Sequence, residues 1–321
     1  MGRPQDESIR ETVALAERCE AWGYERFWVS EHHNIPAIVG SAPEVLMAAI
    51  AARTSRIRIG SAGVMLPHYS AFKVAEQFRV LEALAPGRID LGVGRAPGSD
   101  GRTAQLLNPD RYASENFPQQ VIDLHAWVTG ATPPTGHPGH GVWACPGGPG
   151  HPDVWMLGSS DYGAQLAAHL GLPYAFAYFI TDGRGAEQAL EIYRSAFRPG
   201  PQRSTPHAVL CVWALAAETE GEAWRLFQSR ARWRMDRNLG RIGPMLPPDQ
   251  AERDYSPAEQ MALDALKANA LVGSAATVSN KLRALADRLA LDELVVITWT
   301  HDPQAQLHSY ALLAQEFNLK P

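Results

Sequence analysis

Cysteine is scarce in this 321-residue chain: Cys19, Cys145 and Cys211 lie far apart, with no CxxC pair. That argues against a disulfide framework or a zinc ribbon, and an odd, scattered set reads as reduced thiols in a cytoplasmic protein. No apolar run approaches the ~18 residues of a membrane span, and the N-terminal MGRPQDESIR lacks a signal-peptide core. HExxH, P-loop and G-x-S-x-G motifs are also absent. An excess of one charge sign is missing too. The net charge is −5 with both signs interspersed, which gives no reason to expect nucleic acid or an anionic membrane as partner.

What is present is a core-forming composition, 45% hydrophobic, arranged as alternating strand and helix patterns. Strands are expected over 26–30, 57–60, 88–93, 153–157, 174–179, 208–217 and 293–299. Helices are expected over 8–22, 71–84, 118–129, 160–170, 185–197, 218–237, 258–269, 277–289 and 303–317. A further helix, running to about Arg53, is expected to open at Ser41-Ala42-Pro43-Glu44, where a cap precedes a first-turn proline and an acid. Such alternation predicts an α/β fold with a parallel sheet, and its regularity favours a closed (β/α) barrel. No composition shift divides residues 1–321, so a single domain is expected. The βα count gives seven strands where an eight-stranded barrel needs one more, and the irregular place is the front, where the chain opens on a helix.

Four strand ends carry unusual chemistry. Phe27–Asn34, FWVSEHHN, is a short apolar strand that stops in Ser30, Glu31, His32, His33 and Asn34, delivering a carboxylate and two imidazoles to its tip. Residues 60–67 are rich in small side chains, which suits either close approach of a flat ligand or a loose turn. Residues 92–98 space their glycines G-x-G-x-x-x-G, unlike a dinucleotide fingerprint, and place Arg95 at a strand tip where it could meet an anion. Leu157-Gly158-Ser159-Ser160 runs from strand into helix and suits either an anion site or a serine N-cap.

His137, His140, His151 and Cys145 fall in a Gly/Pro-rich loop, 130–152, without the tight pairs zinc requires, so no metal is expected. That loop, carrying Trp143, is expected to be a mobile cover over the site. A second lid is expected near 241–256, and substrate choice would reside in the two together. Arg230, Arg232, Arg234 and Arg237 with Trp233 read as a solvated helix face or a lid.

EHHN, IRIGSAGVMLP (57–67), Ala75-Glu76-Gln77, PGRIDLGVGR (86–95), WMLGSS (155–160) and VGSAATVSNKLRALADRLALDELVV (272–296) together resemble the bacterial luciferase-like flavin monooxygenases. The likeness spans nearly the whole chain. It implies a TIM (β/α)8 barrel that binds reduced FMN at the C-terminal ends of its strands, reacts with O2 through a C4a-peroxyflavin, and oxygenates an apolar or aromatic small molecule, as in natural-product pathways. His32 would be the catalytic acid/base, with Glu31 or Asn34 orienting it. Ala62, Gly63 and Val64, with a non-proline cis peptide at Ala62-Gly63, would support the flavin ring. Gly94 stands where luciferase has its reactive cysteine, beside Arg95. Gly158, Ser159, Ser160 and the N–H of Gly163 would cradle the phosphate. Family members begin with a strand that lines the flavin pocket, and this sequence starts after it, so the barrel is expected to lack its first strand. A separate flavin reductase, a homodimer through barrel helices and a cytoplasmic location are implied as well. The deazaflavin F420 with hydride transfer is the alternative cofactor, and a non-catalytic flavin-binding relative or partner subunit is a third reading.

Overall fold

A computed structural model describes residues 4–35, 37–110, 112–241 and 243–321. Helix α1 (Gln5–Ala21) turns Ala16 and Cys19 inward. It is stopped at Gly23, whose φ of 84° and contact with the backbone of Lys320 leave no room for a Cβ. The chain then enters β1 (Arg26–Val29), α2 (Pro43–Ala51), β2 (Arg58–Ser61), β3 (Val64–Met65), a 3-10 turn (Leu66–His68), α3 (Ala71–Leu84) and β4 (Ile89–Gly94). Next come α4 (Gly101–Leu107), α5 (Phe117–Thr129), β5 (Asp153–Gly158), α6 (Asp161–Leu170), β6 (Tyr174–Phe176), α7 (Tyr178–Thr181) and α8 (Ala186–Ser195). The C-terminal part adds β7 (Ala208–Ala217), α9 (Glu220–Asn238), α10 (Pro248–Ala251), α11 (Pro257–Ala268), β8 (Leu271–Ser274), α12 (Ala275–Leu289), β9 (Glu293–Ile297) and α13 (Pro303–Glu316).

All the pairings are parallel, in the order β1-β2-β4-β5-β6-β7, with β9 continuing beside the lower half of β7, β8 beside its upper half, and β3 beside β4. This is the α/β barrel expected. The sheet has nine strands rather than seven, because β3 and β8 are too short to show a periodicity. The strand expected over 174–179 stops at Phe176 and gives way to α7. Ala42, not Ser41, holds the cap position of α2, without a side-chain bond.

No backbone ladder joins β9 to β1 among the described residues; side chains cross there instead. Arg26 Nε donates to both Glu293 oxygens at 3.0 Å, and Arg26 Nη1 donates to Asp90 Oδ2 at 2.9 Å. Asp90, fully buried, also accepts from Trp28 Nε1 at 2.9 Å and from Arg58, whose Nη2 reaches on to Asp153 Oδ2 at 2.9 Å. The charged residues of this ring all sit at the start of their strands, so the ring plugs the N-terminal end of the barrel. The opposite end, the mouth, is left to the strand tips.

Loop 130–152 joins the end of α5 to the start of β5, which places it at the plugged end. Arg79 fixes it by donating to Pro146 O at 2.5 Å and Val128 O at 2.6 Å, and Trp127 Nε1 donates to Val142 O at 3.1 Å. The expected cover over the mouth is therefore anchored at the far end. It is α9, rising from the tip of β7 and packed on β7 and β8, that brings a charge, Arg237, to act on His32 at the mouth. Its expected solvated face is instead partly buried, with Phe227, Arg230, Ala231 and Trp233 turned inward.

Candidate active site

Glu31 is fully buried just beyond the tip of β1. Its Oε1 lies 2.7 Å from His33 Nε2 and accepts the Tyr69 hydroxyl at 2.7 Å, while Oε2 accepts the Met65 N–H at 2.9 Å. One carboxylate thus ties the ends of β1 and β3 to the start of α3. Burial, with Glu31 adding to it, pushes the Tyr69 phenol well above its usual range. The expectation that Glu31 or Asn34 orients His32 is corrected. Glu31 holds His33, and Asn34 donates to Asp100 Oδ2 at 3.0 Å, the carboxylate that caps α4.

His32 takes no hydrogen bond from that network. Its backbone N–H is fixed to Gly40 O at 2.8 Å, but its Nδ1 is buried without a partner. Burial chiefly, then the nearby Arg237 cation and a smaller contribution from His33, pull its pKa below 6.5, against the opposing pull of Glu31. The imidazole is neutral at pH 7 and has a nitrogen free to take or give a proton.

At the end of β2, where Ala62 N–H donates to Val29 O at 2.7 Å, the Ala62-Gly63 peptide is cis. A Cβ on Gly63 would come within 2.7 Å of Gly92 O, so this wall is pressed directly onto β4. Val64 is buried in β3, and a Cβ on Gly94 would meet nothing nearer than Met65 Sδ at 4.0 Å, so that strand tip faces open space.

Across the mouth, the first turn of α6 starts at Ser160 with no side-chain cap, leaving its N–H groups for a ligand. Ser159 is half-buried, Ser160 exposed, and Gly158 packs closely on Gly163, the two backbones separated by ordinary contact. The exposed Arg95 guanidinium lies 4.0 Å over the Tyr162 ring in that turn. Free N–H donors, two hydroxyls and a cation suit a phosphate, and the glycine-lined wall suits a flat ring, so these residues fit a flavin nucleotide.

The remaining residues singled out from the sequence lie elsewhere. His137 pairs with Asp123 at 3.3 Å, His140 Nδ1 lies 2.9 Å from Pro133 O, and Cys145 is exposed at the plugged end. Sequence reasoning missed Tyr69 and Met65. It also missed the inward side of α9: Trp233 lies 5.9 Å from Trp299, which follows β9, and Trp299 lies 5.7 Å from Phe179, which follows β6. Arg234 Nη2 donates to Ile180 O at 2.7 Å and Asp182 Oδ2 at 3.0 Å.

A family model described as luciferase-like monooxygenase matches residues 1–292. The chain is 41% identical over 318 residues to a luciferase-like monooxygenase of Escherichia coli (strain K12), covering 96% of this chain and 92% of that one. It is 37% identical over 320 residues to the N-acetyl-S-alkylcysteine monooxygenase of Bacillus subtilis (strain 168), covering 98% and 93%. Among solved structures, apo-MsnO8 matches with a TM-score of 0.90 at 37% identity over 100% of this chain and 96% of that one. Two others share the fold. The oxygenating constituent of 3,6-diketocamphane monooxygenase from Pseudomonas putida in complex with FMN matches with a TM-score of 0.71 at 20% identity, covering 98% and 93%. An F420-dependent secondary alcohol dehydrogenase in complex with an F420-acetone adduct matches with a TM-score of 0.69 at 15% identity, covering 95% and 94%. With a family match across most of its length and relatives of this identity, the chain belongs to the luciferase-like monooxygenases.

Proposed function

We propose that the protein is a flavin-dependent monooxygenase that uses reduced FMN and O2 to insert one oxygen atom into an apolar or aromatic small molecule, the other oxygen leaving as water. One observation carries this reading: an uncapped helix N-terminus flanked by Arg95 stands across one strand-tip face from a buried imidazole with an unpartnered nitrogen.

Reduced FMN, when bound, supplies the electrons that activate O2. The chain supplies the rest. Ser159, Ser160 and the N–H of Gly163 hold the phosphate, with Arg95 beside them. Ala62, Gly63 and Val64 back the ring, and Gly94 leaves it room. His32 Nδ1 holds or moves the proton, positioned by its backbone bond to Gly40. Glu31 acts at one remove, fixing the loop that carries His32. The aromatic wall of Phe179, Trp233 and Trp299 keeps water from the reacting atoms. Among the described residues no helix is long and apolar enough to cross a membrane. Family membership alone supports a separate reductase as the source of reduced flavin and a homodimer as the assembly.

F420 with hydride transfer is the second reading, favoured by the neighbour of the same fold that is F420-dependent. The relatives at 37–41% identity are named monooxygenases, which favours oxygen chemistry. Titration with FMN and with F420, followed by turnover with a flavin reductase under 18O2, decides between them. Tight FMN binding and a product heavier by one 18O support the proposal. Binding of F420 alone replaces it with the second reading, and FMN binding without labelled product makes the chain a flavin-binding relative.

A further inference from the structure

Arg230, in the third turn of α9, is 5% exposed, yet its guanidinium makes no hydrogen bond or ion pair among the described residues, and its Nε is buried without an acceptor. It lies flat over the Trp213 ring at 4.0 Å. Trp213, from β7, is 4% exposed, and its indole Nε1 is also buried without an acceptor. Both side chains line one cleft with Phe179, Asp182 and Asn269. A protein that buries a guanidinium purely for structure normally supplies a carboxylate, since an uncompensated buried charge is costly. Here the one nearby carboxylate, Asp182, has an oxygen engaged by Arg234. Burial draws the Arg230 pKa down to about 10, which leaves it charged at neutral pH. Two buried N–H donors and a fixed positive charge thus stand together at the wall of one cleft with no acceptor.

We propose that this cleft seats an anionic group of the substrate, a carboxylate held by Arg230 and the Trp213 indole N–H, so that the enzyme takes small molecules with an apolar or aromatic body and an acidic end. The inference rests on the monooxygenase reading for what happens at the other end of that molecule. Arg237, the residue whose charge acts on His32, is seven residues further along α9, roughly 10 Å at the helical rise. Trp233 stands between the two positions on the same helix, and with Trp299 and Phe179 it offers the body an apolar wall. An acid of that length spans from its anchor to the imidazole.

The test is calorimetric binding to the full-length protein, with and without FMN, of two probes: N-acetyl-S-benzyl-L-cysteine and its neutral carboxamide. The acid is expected to bind about tenfold or more tightly than the amide. Arg230→Gln is expected to bring the two within about twofold, and Arg230→Lys to keep part of the preference, with FMN affinity unchanged in both variants as evidence of folding. Equal binding of acid and amide, failure of both to bind, or a preference that survives Arg230→Gln overturns the proposal. The readout is separate from turnover. A charge preference without 18O incorporation sinks the monooxygenase reading alone, and turnover of both probes with equal KM sinks the anion seat alone.

Discussion

The Tyr69 hydroxyl donates to Glu31 Oε1 at 2.7 Å, the same oxygen that lies 2.7 Å from His33 Nε2. With the Met65 N–H on the other oxygen, one buried carboxylate fixes three pieces of the mouth. The variant Glu31→Gln keeps the shape but sets an amide NH2 against groups that already donate. It is expected to cost about 2–3 kcal/mol, and Tyr69→Phe about 1 kcal/mol. Urea unfolding checks both, and unchanged midpoints would show the network to be idle.

His32→Ala is expected to slow oxygenation by about 10²–10⁴, the usual range for a lost acid–base group, while leaving the FMN dissociation constant nearly unchanged. Burial and the Arg237, Glu31 and His33 charges together set the His32 pKa below 6.5, so the neutral form persists as pH falls to that value and is lost only below it. The rate should therefore hold across neutral pH and decline on the acid side, and His32→Asn should flatten that decline. A parallel loss of FMN affinity would assign His32 to binding instead.

Gly63→Ala and Gly94→Ala should separate packing from cofactor binding. The first drives a Cβ to within 2.7 Å of Gly92 O, and is expected to destabilise by about 1–3 kcal/mol. The second meets nothing closer than Met65 Sδ at 4.0 Å, so it should melt as the parent does yet bind FMN more weakly. Thermal melts and fluorescence titration read the two effects.

At the plugged end, burial favours the neutral form of Glu293, but His207 and Arg26 outweigh it and its pKa is lowered from 4.5. Its contribution is fully present above 4.5 and is lost as pH falls through the lower folded value. Arg26→Met leaves Glu293 and Asp90 short of a cation and is expected to cost about 3–5 kcal/mol. With only His207 left to oppose burial, the onset of acid unfolding should move to higher pH, which circular dichroism against pH will record.

Much of this was legible in the residues. The barrel followed from strand–helix alternation, and Ala71–Leu84 and Ala208–Ala217 have the bounds their periodicity indicates. The division of labour in Glu31-His32-His33 was not legible, because it lies past the end of β1, where the chain bends at His33 and Asn34 and strand alternation no longer applies. Arg230 stands three residues from Phe227 and four from Leu226, on the buried stripe of α9, but a guanidinium there reads as solvated until its neighbours are known. Loop 130–152 was misplaced because its Gly/Pro-rich sequence with Trp143 suggested a mobile cover, whereas its position, after a helix and before a strand, already put it at the plugged end.

That placement has a practical consequence. Cys19 and Cys211 are buried, with thiols pushed up to about 12, while Cys145 is exposed on the face opposite the mouth. A maleimide at neutral pH will modify that thiol selectively. Molecules immobilised through it would stand on an electrode or bead in one orientation, catalytic opening outward, ready to receive soluble flavin.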